Sequence, residues 1–100
     1  MSLQKNSIPL KLSILVCVRN KGTNIKIMLK IIHAMIEVPH EILFVHDDPD
    51  NDFVELVNSL KCRDPNTRLI RNHLGNGVVN ALKSGIDASR GEYVLIFAAD

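Results

Sequence analysis

The sequence lacks an excess of charge of either sign. Among its 100 residues, 12 are Lys or Arg and 11 are Asp or Glu, so the formal net charge is only +1. A protein that grips DNA or RNA needs a strong positive field, which this balance does not supply. We therefore expect no nucleic-acid partner.

Cysteines and long apolar runs are also scarce. Cys17 and Cys62 are too few and too far apart for a disulfide framework or a thiolate metal cluster. The apolar run over residues 14–18 is far shorter than the ~20 residues of a membrane span, and it is too short for a signal-peptide core. These absences predict a reduced, cytoplasmic setting and no transmembrane segment in this chain.

Glycine-rich nucleotide fingerprints are missing as well. Neither G-x-G-x-x-G nor the P-loop pattern occurs, which argues against an NAD-type oxidoreductase and a P-loop NTPase. The short segment from Gly75 to Gly77 opens a predicted helix, and the free amides of a helix start can face a phosphate. A flexible turn with a cap explains the same residues, so both interpretations stay open.

Continuous apolar runs predict strands that are covered on both faces, as in a parallel sheet. Such runs occupy residues 14–18, 42–45 and 93–97. Between them lie three amphipathic helical patterns. Their apolar positions are Ile25, Met28, Leu29, Ile32 and Ile36; Phe53, Leu56, Val57 and Leu60; and Val78, Ala81, Leu82 and Ile86. The predicted helix caps are Asn24, Asp50 or Asn51, and Asn76.

A fourth, shorter strand at residues 69–70 is flanked by arginines, which favours a sheet edge. With right-handed crossovers, the chain then forms a three-layer, Rossmann-like α/β fold with a mainly parallel sheet in the strand order 3-2-1-4. Ligands bind such sheets beyond the carboxyl ends of the strands. The residues predicted there are Arg19 and Asn20; His46, Asp47 and Asp48; and Ala98, Ala99 and Asp100.

Carboxylates are the candidate ligand-binding groups at this edge. Residues 47–52 hold four of them, which fit either a solvated loop that caps a helix or an acceptor for the ring N–H groups of uracil or guanine. Asp100 offers the hard oxygen that Mg²⁺ or Mn²⁺ prefers. The four histidines show no metal-binding spacing.

The chain ends directly after its most hydrophobic run, at Asp100. An uncovered apolar edge invites pairing with another chain. We therefore expect residues 1–100 to be a single α/β subdomain of a longer natural protein, with homo-oligomer formation through the edge of the last strand as a further expectation.

Four segments resemble the inverting GT-A glycosyltransferases of family 2, a group that includes polyprenyl-phosphate sugar transferases. Residues 13–20 are similar to the opening strand of that family, and residues 41–52 are similar to its strand E-I-I-V-V with the acidic loop D-D-G-S-T-D. Residues 72–77 resemble its N-x-G-x-G helix start. The most specific segment, residues 90–100, reads RGEYVLIFAAD where the family has R-G-E-Y-I-L-F-L-D-A-D.

The resemblance implies a donor-binding region for a UDP- or GDP-linked sugar, with Mn²⁺ or Mg²⁺ bridging the diphosphate and inverting transfer to an acceptor such as a lipid phosphate or a saccharide. The implied donor-binding residues are Val18, Arg19, Asn20, Asp47, Asp48, Arg71, Gly75 and Gly77, and the implied metal ligand is Asp100. The expected location is the cytoplasm, with the cytoplasmic face of the membrane as an alternative for the parent protein.

Departures from the family pattern leave alternatives open. Ala98 stands where the first Asp of D-x-D belongs, and the catalytic base is expected beyond Asp100, so this segment alone should not turn over substrate. One alternative is a non-catalytic nucleotide-sugar-binding or assembly module. Another is a sugar-nucleotidyltransferase-like domain, for which residues 19–23 are a poor version of the expected glycine-rich loop.

Overall fold

The computed structural model describes residues 10–18, 24–47, 50–75 and 77–98, which alternate between strand and helix. The elements are β1 (Leu12–Val18), α1 (Ile25–Met35), β2 (His40–His46), α2 (Asn51–Arg63), β3 (Thr67–Arg71), α3 (Val78–Ala88) and β4 (Tyr93–Ala98). All predicted elements are present in the predicted order. In this described part of the chain, every helix is too short or too polar to cross a membrane.

The four strands form one sheet in the order β3-β2-β1-β4, and every neighbouring pair is parallel. The register pairs Val18 with His46 and Cys17 with Ala98, so β1, β2 and β4 end at the same edge. The predicted strand order and the α/β class are confirmed. The winding of the chain reverses between β1 and β4, which is where sheets of this kind bind their ligands.

Helices α1 and α2 cover one face of the sheet. Ile14, Val16 and Val18 alternate along β1 and lie in one buried apolar cluster with Leu29 of α1 and Val57 of α2. Burial of an aliphatic side chain of this size contributes roughly 1.5–3 kcal/mol. This cluster is the main core of the molecule.

Helix α3 covers the opposite face and approaches it closely. Its buried positions are Ala81 and Gly85. A Cβ atom added to Gly85 would lie 3.0 Å from Leu15 Cδ1 and 3.1 Å from Val45 Cγ2. Because β1 and β2 are covered on both faces, their sequences are continuously apolar rather than alternating.

Side-chain caps begin two of the three helices. Asn24 and Asp50 each accept a hydrogen bond from the backbone N–H three residues later, over 3.2 and 2.9 Å. The N-cap position of α3 belongs to Gly77, which has no side chain to accept a bond, and Asn76, the predicted cap, lies outside the described residues.

A buried ionic cluster joins the strands at the amino-terminal edge of the sheet, away from the predicted ligand edge. The Glu41 carboxylate is 2% exposed and accepts hydrogen bonds from Ser13 Oγ at 2.6 Å, the Arg90 backbone N–H at 2.6 Å and Arg68 Nη2 at 2.9 Å. Burial by itself raises the pKa of Glu41, but these hydrogen bonds and the Arg68 charge outweigh it and hold the pKa below its ordinary value. Glu41 is thus a structural anion.

The turn before β4 is tied to β1 through Gly91. Its backbone N–H donates to Ser13 Oγ over 2.7 Å. A Cβ atom at Gly91 would lie 2.6 Å from the backbone of both Leu12 and Ser13. Gly91 belongs to the segment that most resembles the family, and its role here is close backbone packing.

Strand β4 forms one edge of the sheet, and its residues are the most exposed of any strand. Tyr93 is 58% exposed and Ile96 is 52% exposed. The apolar edge that the sequence predicted is therefore present. Pairing of this edge with a second copy stays a prediction.

Candidate functional site

Residues at the ends of three strands line the carboxyl edge of the sheet. Val18 ends β1, Asp47 follows β2 directly, and Arg71 ends β3, where it pairs in register with His46. Val18 is buried, whereas Arg71 is exposed. The parallel sheet therefore brings predicted site residues from distant parts of the chain to one edge.

A small hollow at this edge lies between the strand ends and the start of α3. It is lined by Cys17, Val18, Val45, Asp47, Gly77, Val78 and Ala81. Three of the predicted site residues, Val18, Asp47 and Gly77, thus share one concavity. Within the described residues its volume is about 10 Å³, room for about one water molecule.

Asn72, which follows β3, joins the elements around this hollow. Its Nδ2 donates to Asp47 Oδ1 over 2.6 Å and to the Gly75 carbonyl over 2.8 Å. Its Oδ1 accepts from the Leu74 backbone N–H at 3.0 Å and from Ser84 Oγ at 2.8 Å. Sequence reasoning noted Asn72 within a motif but gave it no role. A polar residue directly after a strand is a weak signal, and its partners become visible only in the fold.

The turn before α3 needs its two glycines. Gly75 has φ of 104° and Gly77 has φ of 119°, a region that residues with a side chain rarely adopt. The backbone conformation of this turn therefore favours glycine at both predicted positions. This turn places the start of α3 at the same edge as Asp47.

The acidic loop divides its carboxylates between two tasks. Asp50 caps α2 through Phe53, which matches the structural interpretation of the loop. Asp47 instead binds Asn72 at the carboxyl edge. The sequence predicted Asp50 as a candidate cap, which is confirmed, and placed Asp47 at the carboxyl edge without a protein partner.

Four of the predicted site residues are not covered by the structure. Arg19, Asn20, Asp48 and Asp100 lie outside the described residues. Their assigned roles stay predictions.

The described residues contain no group of three His, Cys, Asp or Glu side chains that could hold a metal ion. These residues are 10–18, 24–47, 50–75 and 77–98. Strand β4 ends at Ala98, two residues before Asp100. An alanine side chain has no atom that could bind a metal ion. The described side chains alone therefore do not fit a divalent cation.

Two larger cavities lie away from this edge. One, of about 350 Å³, runs between α1 and α2 beside Lys30, His33 and Arg63. The other, of about 240 Å³, lies at the amino-terminal ends of β2 and β3. The larger volume of these two cavities does not make either one the candidate site, because ligands of parallel α/β sheets bind at the carboxyl edge.

The sheet order defines a Rossmann-like α/β protein, and sheets of this kind bind their ligands at the carboxyl edge. Comparison with family models gives a match to Glycosyl transferase family 2 over residues 13–100. No curated protein matches the chain.

The match covers most of the chain, so the chain belongs to glycosyl transferase family 2. It is thus a glycosyltransferase region of the type that binds a nucleotide sugar, and the reaction of this family involves a donor and an acceptor. The family as a whole generally uses a divalent metal.

Proposed function

We propose that this chain holds the UDP- or GDP-linked sugar of an inverting glycosyl transfer at the carboxyl edge of its sheet. The observation that supports this most directly is the Asp47 carboxylate, held by Asn72 beside a hollow that Val18 and Gly77 also line. These three lining residues come from separate parts of the chain and meet where parallel sheets bind nucleotides.

Asp47 is the proposed acceptor for the base. A carboxylate has about four acceptor positions, and the hydrogen bond from Asn72 uses one of them. The remaining capacity suits the ring N–H groups of uracil or guanine. Asp48 is proposed as the neighbouring carboxylate of the same loop. Val18, with Arg19 and Asn20, is proposed to line the base and the ribose.

The diphosphate is assigned to the start of α3. Gly75 and Gly77 shape the turn, and the first N–H groups of a helix favour a phosphate. Arg71, exposed at the end of β3, is proposed to neutralise part of the phosphate charge. No catalytic base is assigned to any residue of the described ranges.

Asp100 is the proposed ligand of a divalent cation, Mn²⁺ or Mg²⁺. When bound, such a cation stabilises the negative charge of the departing diphosphate. Ala98 removes one carboxylate from the pattern that the resemblance implies, so the cation would be held by fewer protein oxygens.

The acceptor is proposed to be a lipid phosphate or a saccharide, and the site of action the cytoplasm or the cytoplasmic face of a membrane. Residues 1–100 are proposed to act as one donor-binding unit. These proposals rest on the resemblance of the sequence to lipid-phosphate sugar transferases.

The substitution Asp47→Asn tests the proposed base contact, because the new amide would keep an acceptor oxygen at this position but lose the charge. Calorimetric titration with UDP, GDP and their sugars should show about a tenfold loss of affinity for the preferred nucleotide, as expected for a hydrogen bond to a charged group. Affinity for pyrophosphate, which has no base, should be unchanged.

The matched control is Asp52→Asn, which removes the same charge from the exposed first turn of α2. It should leave all affinities within about twofold, since surface charges of this kind contribute little. Equal nucleotide affinity in the Asp47→Asn variant and the unmodified chain would remove Asp47 from the base site.

A second candidate, a non-catalytic nucleotide-sugar-binding module, is favoured by Ala98. This residue pairs with Cys17 at the end of β4, where the resemblance expects the first aspartate of D-x-D. Donor binding by the natural protein without transfer to any acceptor and without donor hydrolysis would support this candidate over the enzyme.

A further inference from the structure

We propose that Asn72 is a positioning residue that sets the orientation of the Asp47 carboxylate and thereby the base selectivity of the donor site. The inference rests on the proposed function, because it assigns Asn72 a task in nucleotide recognition. It adds a residue to which neither the sequence pattern nor the family match gives a role.

The amide of Asn72 has no spare hydrogen-bonding capacity. Both Nδ2 protons are used, by Asp47 and by the Gly75 carbonyl, and both lone pairs of Oδ1 are used, by Leu74 and Ser84. The residue is 8% exposed, so water is a poor substitute for these partners.

This pattern allows one orientation of the amide. A 180° flip would turn the oxygen toward the Asp47 carboxylate and the Gly75 carbonyl, and the NH₂ group toward the N–H of Leu74. Every one of those pairs would be acceptor against acceptor or donor against donor. The donor that faces Asp47 is therefore fixed by the groups on the other side of Asn72.

Asn72 is itself held by the backbone. Its N–H donates to the carbonyl of His46, the last residue of β2, over 3.0 Å. The residue thus connects the end of β2, the glycine turn and α3 through Ser84. Asp47, which directly follows β2, is held in place relative to the start of α3, so the proposed base contact and the proposed phosphate contact keep a constant separation.

A carboxylate without this hydrogen bond would sample several rotamers, and each nucleotide would have to select one of them on binding. With it, the carboxylate is ordered before the ligand arrives. Loss of Asn72 should therefore weaken nucleotide binding more when Asp47 is present than when it is absent, where only the contact with the Gly75 turn is lost.

A double-mutant cycle on the full chain tests the inference, with Asp47→Ala, Asn72→Ala and the double variant titrated with UDP and GDP by calorimetry. Asn72→Ala should lower affinity for the preferred nucleotide on the order of tenfold and reduce the discrimination between UDP and GDP. In the Asp47→Ala background the same change should alter affinity by less than about twofold. Equal effects of Asn72→Ala in both backgrounds would overturn the positioning role.

Two further variants separate positioning from folding. Ser84→Ala removes a partner of Asn72 Oδ1 and leaves the bond to Asp47, so it should lower thermal stability and keep the UDP/GDP ratio. If Asn72→Ala does not fold, Asn72→Ser keeps a polar atom at this position and takes its place in the cycle. A change in the nucleotide ratio from Ser84→Ala equal to that from the Asn72 variant would show a merely structural role.

The cycle also distinguishes this inference from the proposed function. If Asp47→Ala leaves nucleotide affinity unchanged, the base contact itself is wrong, and the role of Asn72 in recognition is overturned with it. If Asp47→Ala lowers affinity while the effect of Asn72→Ala is independent of it, the proposed function stands and only the positioning role is lost.

Discussion

Arg68 on β3 reaches the buried carboxylate of Glu41 on β2, with Nη2 2.9 Å from Oε1. The same nitrogen lies 2.6 Å from the carbonyl oxygen of Ala88, the last residue of α3. One guanidinium therefore joins two strands and a helix at the edge opposite the proposed donor site. The ion pair between Arg68 and Glu41 thus lies at the end of the sheet opposite the carboxyl edge.

Replacement of Glu41 by Gln should destabilise the fold by about 3 kcal/mol at neutral pH, because it leaves the Arg68 charge without its buried partner. Urea unfolding followed by circular dichroism measures the change. The control is Glu92→Gln, which breaks an exposed ion pair with Lys11. The Glu92 side chain is 57% exposed and the Lys11 side chain is 48% exposed. That change should cost less than about 1 kcal/mol. Equal losses in the two variants would contradict a special role for Glu41.

Stability should depend on pH through Glu41. Its pKa in the folded chain is held below the ordinary value of 4.5, so the ionised form stabilises the fold above that pH. As the pH falls through the lowered pKa, the carboxylate takes up a proton and this contribution is lost. The difference in unfolding free energy between the unmodified chain and Glu41→Gln should thus be constant near neutrality and shrink at acid pH. A difference that grows as the pH falls would contradict this.

Gly91→Ala should destabilise the chain by more than about 3 kcal/mol, since the new methyl group would lie 2.6 Å from backbone atoms of β1 that cannot move aside. Gly85→Ala is the comparison, because the three atoms nearest to its methyl group would be side-chain atoms of Leu15 and Val45, at 3.0–3.1 Å. Those side chains can adjust, so the expected cost is about 1–2 kcal/mol. Thermal unfolding of both variants measures the order, and a larger loss in Gly85→Ala would contradict it.

Asp100→Ala should abolish any dependence of donor affinity on Mn²⁺, if Asp100 holds the cation. Calorimetric titration of UDP-sugar and GDP-sugar with and without Mn²⁺ measures this, and Asp87→Ala, which removes an exposed carboxylate of α3, is the control. The reverse change, Ala98→Asp, supplies a second carboxylate and should tighten Mn²⁺ binding, which electron paramagnetic resonance of the free ion detects. Mn²⁺ dependence that survives in Asp100→Ala would remove Asp100 from the metal site.

The parallel sheet was predictable because strands that are buried on both faces have continuously apolar sequences. Residues 14–18 are apolar without alternation, since Val16 packs under α1 and α2 while Leu15 packs under α3. The short strand with its arginines, which spans Thr67–Arg71, was correctly placed at the edge because its brevity and charge are typical of edge strands.

The candidate site was predictable only in part. The strand ends and their aspartates follow from topology, which places Val18 and Asp47 at one edge. The protein partner of Asp47 does not, because no local pattern identifies it. Asn72 lies 25 positions from Asp47 in the sequence and reaches it only after β3 has paired with β2.

The amino-acid sequence by itself determined the succession of strands and helices, the parallel pairing and the strand order, because these follow from local periodicity and from which faces are apolar. Only the tertiary structure decided which polar groups meet. Glu41 with Arg68, Gly91 with Ser13, and Asn72 with Asp47 are each separated by 25 or more positions, and hydrogen bonding depends on distances of about 3 Å that no sequence spacing specifies. The pattern of apolar residues thus determines the fold, whereas the geometry of the proposed donor site depends on contacts that form only when the sheet is assembled.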